Sequence, residues 1–244
     1  MHQYSQSTQE LIDKLVIANH ILFDQGVVDA FGHVSVRHDE RDDRFFLAKN
    51  KAPGDIERED ILEFGLDGEL ANPNGERVYL ERYLHSEIYK ARPDVISIVH
   101  SHSHNIIPFS VLRNVPLRPL FHMAGFIHDC APVFEIRDRF GDTTNLLVSD
   151  VERGKAFAEC IGDRPIALMR GHGSTVVADS LEKAVFRAVY AEINAQLQGT
   201  ASPLGDVTFL TGDEADACMT TNEGQVKRPW DLWAKKARAL RSER

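Results

Sequence analysis

The amino-acid sequence predicts an α/β domain built around a largely antiparallel central sheet. Three observations favour this fold class. Amphipathic helical segments alternate with short runs rich in β-branched residues, which are typical of buried strands. Two of these runs, residues 34–37 and 44–47, are separated only by a polar turn, as in an antiparallel hairpin. No repeat, low-complexity segment or linker divides the 244 residues, so a single domain over residues 1–244 is the simplest organisation.

The helices are predicted from apolar residues that recur three or four positions apart. They cover residues 8–25, 81–91, 105–112, 150–161, 180–198 and, after an irregular stretch, 230–240. Gly26 and Arg92-Pro93 mark the ends of the first two helices, because glycine and the residue before a proline favour non-helical backbone. Ser180 provides a capping side chain for the long helix. The core of the domain is therefore expected within about residues 8–198.

The strands are predicted from short runs of β-branched and aromatic residues. They cover residues 34–37, 44–47, 60–70, 95–99, 133–136 and 166–169. The third of these runs contains Asp67-Gly68, a dipeptide typical of a tight hairpin turn.

The composition excludes several classes of partner. A formal net charge of −9 and the lack of a Lys/Arg cluster argue against nucleic acid. No apolar run approaches the ~18 residues of a membrane span, and the first residues lack the pattern of a secretory signal. Three scattered cysteines, Cys130, Cys160 and Cys218, have no metal-binding spacing and indicate reduced thiols. We therefore expect a cytoplasmic protein without a membrane partner.

Histidines cluster where the fourth predicted strand ends. In a strand alternate side chains share a face, so His100 and His102 point the same way, and His104 joins them if the strand continues. Two imidazoles on one face form a chelate for a divalent metal. The same pair also fits a polar strand end, so the pattern alone leaves both interpretations open.

Two further features have the chemistry of a metal site. Glu81 lies at the start of a predicted helix, where the helix dipole favours a carboxylate, and where it can also serve as a ligand or an acid–base group. His172 stands between Gly171 and Gly173 after a predicted strand, and the glycines allow close approach of the backbone. A tolerated loop histidine remains the alternative interpretation.

Taken in order, these motifs resemble the class II aldolase/adducin family. The matching positions run from about residue 8 to residue 198. They are Gly32-x-x-Ser35, Glu81-x-x-x-His85 with Ile88-Tyr89, Arg92-Pro93-Asp94-Val95, His100-x-His102, and Gly171-His172-Gly173 ahead of the helix that begins Leu181-Glu182-Lys183-Ala184.

The resemblance implies a three-layer α/β/α domain with a nine-stranded, mainly antiparallel sheet. It also implies one divalent metal per subunit on His100, His102 and His172, with Glu81 as the catalytic carboxylate. Manganese is expected, although zinc, iron and cobalt suit such ligands too. Family members are usually homo-tetramers whose active sites lie at subunit interfaces.

Departures from the sugar-phosphate aldolases indicate a different substrate. His33 replaces the asparagine of their Gly-Asn-x-Ser motif, Tyr79-Leu80 replaces two serines ahead of Glu81, and Ala48–Lys51 replaces a Thr/Ser-Gly turn. These changes remove the small donors that hold a phosphate. The segments that instead resemble the decarboxylase branch are Asp29–Ser35, Tyr79–Glu81, His100–His104, Pro116–Leu120 with His122-Met123, and Ala167–Gly173.

This resemblance implies a metal-dependent carboxy-lyase in a catabolic pathway, acting on a hydroxylated aromatic or heteroaromatic dicarboxylic acid or a carboxymuconate-type acid. An aldolase for a non-phosphorylated hydroxy-oxo acid is the alternative, and a non-catalytic module like the adducin head is a third possibility. A second substrate carboxylate needs an anchor, for which His33, Lys51 and Arg118 are candidates. We expect Tyr79 to line the pocket and His104 to support the ligands or face the substrate.

Three histidines keep open roles. His85 lies four residues after Glu81 and can orient that carboxylate or be a buried structural residue. The sequence does not distinguish the roles of His104 and His122 further.

Overall fold

Seven strands form one sheet in the part of the chain that the computed structural model describes, residues 4–242. They are β1 (His33–Arg37), β2 (Arg44–Ala48), β3 (Ile61–Gly65), β4 (Ser97–Ser101), β5 (Val133–Phe134), β6 (Ile166–Met169) and β7 (Gly173–Ala178). Their order across the sheet is β3-β2-β1-β4-β7-β6-β5, and only β5 and β6 pair in parallel. The mainly antiparallel sheet is therefore confirmed, whereas the described residues contain seven strands rather than the nine expected.

Eight α-helices accompany the sheet within the same residues. They are α1 (Gln6–Asp24), α2 (Arg82–Ala91), α3 (Ile107–Val111), α4 (Arg137–Phe140), α5 (Val151–Ile161), α6 (Leu181–Ala201), α7 (Gly212–Glu223) and α8 (Lys227–Ser242). Side-chain caps explain several of the starts, since Ser5, Asp150 and Ser180 each accept a hydrogen bond from a backbone N–H of the first turn. No helix of the described chain is long and apolar enough to cross a membrane.

The sheet separates two apolar cores, one on each face. Val34, Val36 and Val99 pack toward α1, α6 and α8. The intervening position Ile98 packs toward α2 and α5 on the other side. The alternation of side chains along each strand thus produces the predicted α/β/α layers.

Several elements of the structure differ from the prediction, among them β7, α7 and α3. Strand β7 was not predicted, because all six of its residues are buried and the alternation of polar and apolar residues is missing. The tail after residue 200 contains α7 rather than only irregular chain, and a reciprocal capping box of Thr211 and Glu214 starts that helix. Helix α3 is shorter than expected, at five residues.

Candidate metal centre

Four side chains from three parts of the fold meet at one end of the central strands. His100 belongs to β4, His102 follows the same strand, His172 lies in the turn between β6 and β7, and Glu81 occupies the N-cap position of α2. One nitrogen or oxygen atom of each lies within 4.8 Å of the others. The structure therefore brings together the four residues that the sequence predicts for the site.

His100 presents a buried nitrogen that has no hydrogen-bond partner among the described residues. Its Nδ1 lies 3.4 Å from the Thr175 hydroxyl, and Thr175 is the residue that pairs with it across β4 and β7. Its Nε2 is buried and makes no hydrogen bond to the described residues, although Glu81 Oε2 is 3.4 Å away. If Nδ1 carries the proton, Nε2 holds a free lone pair, which is the form that binds a metal.

His172 and His102 face each other through equivalent nitrogens. His172 Nδ1 donates to the carbonyl of Leu146 at 3.0 Å, so in the neutral imidazole that binds a metal the lone pair is on Nε2. That Nε2 is 2.9 Å from Nε2 of His102 and 3.4 Å from Glu81 Oε2. A cation close to the three nitrogens would satisfy lone pairs that otherwise point at one another.

Glu81 is held as a carboxylate beside these imidazoles. Burial alone would raise its pKa, but His100 and His172 outweigh this effect and keep the pKa well below its ordinary value. Its Oε1 accepts a hydrogen bond from the backbone N–H of Val148 at 3.0 Å, which leaves Oε2 toward the histidines. Three imidazoles with one carboxylate form a donor set that fits manganese, iron, cobalt or zinc.

The backbone around Gly173 sets the distance between the two histidine-bearing elements. A Cβ atom at Gly173 would stand 2.0 Å from the carbonyl oxygen of Ser101 and 3.1 Å from Cα of His102. Only glycine therefore lets β7 lie this close to the end of β4.

We expect Gly173→Ala to destabilise the fold by about 1–3 kcal/mol, because the methyl group must displace a neighbouring backbone. The shift would also separate His102 from His172 and weaken metal binding. Thermal denaturation and metal analysis of the purified variant measure both effects. Gly199→Ala is the control, since a Cβ meets nothing within 4 Å there and alanine favours the helix. A Gly173→Ala protein with the melting temperature and metal content of the wild type would contradict this account.

Two of the predicted substrate contacts lie beside the cluster. The His33 ring centre is 4.9 Å from that of His100 and 4.6 Å from that of Tyr79. Burial, together with the neighbouring His85 and His100, holds the pKa of His33 well below its ordinary value. His33 is therefore neutral near pH 7, and its role in holding a second substrate carboxylate stays a prediction.

Lys51 and Arg118 are engaged with other partners in the described chain. The ammonium of Lys51 pairs with Asp60 at 2.6 Å, although its carbonyl accepts a hydrogen bond from the Tyr79 hydroxyl. Arg118 donates to the carbonyl of Asp129 and lies 4.4 Å from the centre of the Phe209 ring. His104 is exposed and lies outside the group of four ligand-bearing residues.

His85 and His122 also have defined positions. His85 is fully buried and bonds to His33 and Ser35 rather than to Glu81. His122 begins a 3-10 turn and is exposed.

Sequence reasoning missed several groups that complete the site. Phe31 is 64% exposed, and its ring stacks on His102 with centres 6.1 Å apart and planes 23° apart. An aromatic residue directly before Gly32 was the available signal. The Leu146 carbonyl and the Val148 N–H come from the backbone, so no residue type announces them.

The sequence is similar to proteins of one known family. Residues 13–199 match the class II aldolase and adducin N-terminal domain. The chain belongs to the class II aldolase and adducin family. The decarboxylase TropJ of Talaromyces stipitatus is 36% identical over 239 residues, covering 88% of this chain and 90% of TropJ. The 3,4-dihydroxyphthalate decarboxylase of Arthrobacter keyseri is 28% identical, with 76% of each chain covered.

Solved structures of the family share the fold. The L-fuculose 1-phosphate aldolase of Glaciozyma antarctica superimposes with a TM-score of 0.80 at 21% identity, covering 100% of this chain and 95% of the aldolase. An aldolase II superfamily protein from Pseudomonas syringae gives the same TM-score at 18% identity, with 98% and 96% covered. The three-layer fold is thus that of this family, and the similar decarboxylases and aldolases are all carbon–carbon lyases.

Proposed function

We propose that this protein is a metal-dependent decarboxylase of a hydroxylated aromatic or heteroaromatic dicarboxylic acid, or of a related carboxymuconate-type acid, in a catabolic pathway. The main support is the cluster of His100, His102 and His172. The ionised Glu81 lies beside them, with its Oε2 3.4 Å from Nε2 of His100 and 3.4 Å from Nε2 of His172. Similarity to decarboxylases along most of the chain supports the reaction class. The cytoplasmic location stays a prediction from the cysteine usage.

His100, His102 and His172 would hold the divalent ion, for which we propose manganese, with zinc, iron and cobalt as fitting alternatives. A divalent ion there supplies a Lewis acid for a carboxylate–hydroxyl pair and for the negative charge that develops on decarboxylation. Thr175 and the Leu146 carbonyl fix the orientation of two of the imidazoles, so the site is organised before a ligand arrives.

Glu81 would handle the proton. When the carboxylate leaves as carbon dioxide, its bonding electron pair stays on the substrate carbon, and a proton must take the vacated place. The Val148 N–H fixes one oxygen of Glu81, which leaves the other to take a proton from water or from a ring hydroxyl of the substrate and to pass it to that carbon.

The surroundings of the cluster favour a flat ring over a sugar phosphate. Phe31 stacks on the face of His102, and Tyr79 packs against His33. Leu80, where the aldolases carry a hydroxyl residue, is 59% exposed. Apolar side chains this exposed near the site also suit a homo-tetramer with active sites at its interfaces, in which a partner subunit would supply the anchor for a second carboxylate.

An aldolase acting on a non-phosphorylated hydroxy-oxo acid is the second candidate. L-fuculose phosphate aldolase of Escherichia coli is 26% identical over 215 residues, so both reaction types occur among similar proteins. The two candidates differ in product, because an aldolase releases an aldehyde or ketone and no carbon dioxide.

We expect the manganese-loaded protein to release carbon dioxide from a hydroxylated aromatic or pyridine dicarboxylate such as 3,4-dihydroxyphthalate. L-fuculose 1-phosphate and ribulose 5-phosphate, assayed in parallel, should not be cleaved, since the site lacks small donors for phosphate. Carbon dioxide capture and product chromatography measure the two outcomes. Efficient cleavage of a sugar phosphate, with no carbon dioxide from any dicarboxylate, would overturn the proposed function.

A further inference from the structure

A chain of four buried polar side chains runs between β1 and α2, directly behind the metal centre. His33 Nδ1 is 2.7 Å from His85 Nε2, and His85 Nδ1 is 2.7 Å from the Ser35 hydroxyl. The Ser35 hydroxyl is in turn 2.7 Å from the Tyr89 hydroxyl. All four residues are buried, and only His33 contacts the ring of a metal-site histidine.

The hydrogen bonds that link these four side chains must all run from donor to acceptor in the same direction. Both nitrogens of His85 are bonded, one to an imidazole and one to a hydroxyl, and neither partner is an anion that would favour an imidazolium. Burial accordingly lowers the pKa of His85 to about 3. A neutral imidazole donates through one nitrogen and accepts through the other, so the two ends of His85 have opposite roles.

The far end of the chain sets that direction. The Tyr89 hydroxyl donates to the carbonyl of Ile96 at 3.4 Å, so it accepts from Ser35. Ser35 then accepts from His85 Nδ1, and His85 Nε2 accepts from Nδ1 of His33. His33 therefore carries its proton on Nδ1, and its Nε2 keeps a lone pair for which the described residues offer no hydrogen-bond donor.

We propose that Tyr89, Ser35 and His85 are positioning residues that fix His33 as a hydrogen-bond acceptor for a hydroxyl group of the ligand in the metal site. His33 is then a specificity-determining residue. It accepts from a ring hydroxyl next to the chelated pair and rejects an ether or carboxylate oxygen there, because two lone pairs would face each other. This proposal rests on the proposed function for the nature of the ligand.

The protonation pattern itself is open to direct measurement. A neutron structure of the zinc-loaded protein should show deuterium on Nδ1 of His33 and on Nδ1 of His85, and none on Nε2 of His33. Deuterium on His33 Nε2 would mean that the chain runs the other way and would overturn the proposal. This measurement requires no variant, so it decides the question even if a substitution prevents folding.

Tyr89→Phe tests the consequence for ligand choice. Without the tyrosine oxygen, the Ser35 hydroxyl loses its acceptor and turns toward His85, which reverses the chain and places a proton on His33 Nε2. The probes are 2,3-dihydroxybenzoate and 2-hydroxy-3-methoxybenzoate, which chelate a metal alike but offer a hydroxyl or only an ether oxygen at the third position. Calorimetric titration of the zinc-loaded protein gives the ratio of the two affinities. The methoxy group is bulkier than the hydroxyl by the same amount for the wild type and for the variant, so this difference cancels when the two ratios are compared.

We expect Tyr89→Phe to lower the preference for 2,3-dihydroxybenzoate about tenfold, the effect of one hydrogen bond of typical strength. Tyr83→Phe is the matched control, because Tyr83 lies on the same helix and its hydroxyl bonds to Glu69 and Arg82, which are not part of the hydrogen-bonded series from Tyr89 to His33. An unchanged ratio in Tyr89→Phe, or no binding of 2,3-dihydroxybenzoate by the wild type, would overturn the proposal. Neither readout depends on carbon dioxide release. Failure of this proposal about His33 can therefore be distinguished from failure of the decarboxylase assignment.

Discussion

Replacing His100 by alanine should leave the protein without its divalent ion and reduce decarboxylation to background. His100 is fully buried, and its Nε2, which makes no hydrogen bond to the described residues, lies where His102, His172 and Glu81 converge. Loss of a group that only supports a metal ligand costs roughly 10–100-fold in affinity or activity, and loss of the ligand itself should cost more. His172→Ala should behave alike, because it removes the nitrogen that faces His102.

The measurement is metal content per chain after exhaustive dialysis, by inductively coupled plasma mass spectrometry. Circular dichroism confirms that each variant is folded. His122→Ala serves as the control, because that exposed histidine lies outside the cluster. Stoichiometric metal in both His100→Ala and His172→Ala would rule out a site built on these histidines.

The regular parts of the fold could be predicted because their sequence patterns report burial directly. Helix α6 combines a capping Ser180 with apolar residues at helical spacing, and its start was predicted to the residue. Strand β7 was not predicted because it lies between two other strands and is buried throughout, so its sequence does not alternate between polar and apolar residues. Helix α7 was not predicted for the opposite reason. Ala215 is its single buried residue, so it has no apolar face to mark it in the sequence.

The candidate site could be predicted where side chains carry the chemistry and not where the backbone does. Glu81, His100 and His172 are distant in sequence and adjacent in the structure, and the resemblance of their motifs to the family predicted that they share one site. The Leu146 carbonyl that orients His172 comes from a residue with a φ of 66°, a conformation that no motif reveals. Lys51 and Arg118, two of the candidate anchors for a second carboxylate, are held by local partners, which spacing along the chain does not show.

Glu81→Gln should retain the metal and lose most of the turnover. The amide oxygen of glutamine can still accept from the Val148 N–H, so the side chain keeps its place. The three imidazoles that bind the ion are untouched. The amide cannot take up or release a proton near pH 7, whereas His100 and His172 keep the native carboxylate ionised. General acid–base groups contribute roughly 10²–10⁴-fold to a rate, and we expect a loss in kcat of that order.

The control for this substitution lies on the same helix. Glu87 is also buried, but it pairs with Lys90 and faces α5, away from the histidines. Glu87→Gln should therefore retain kcat, which separates a proton-transfer defect from the general cost of losing a buried charge on α2. The rate of carbon dioxide release and the metal content are measured on the same samples of both variants. A Glu81→Gln enzyme within a few-fold of wild-type kcat would mean that Glu81 only places a charge at the start of α2, and that the proton reaches the substrate carbon by another group.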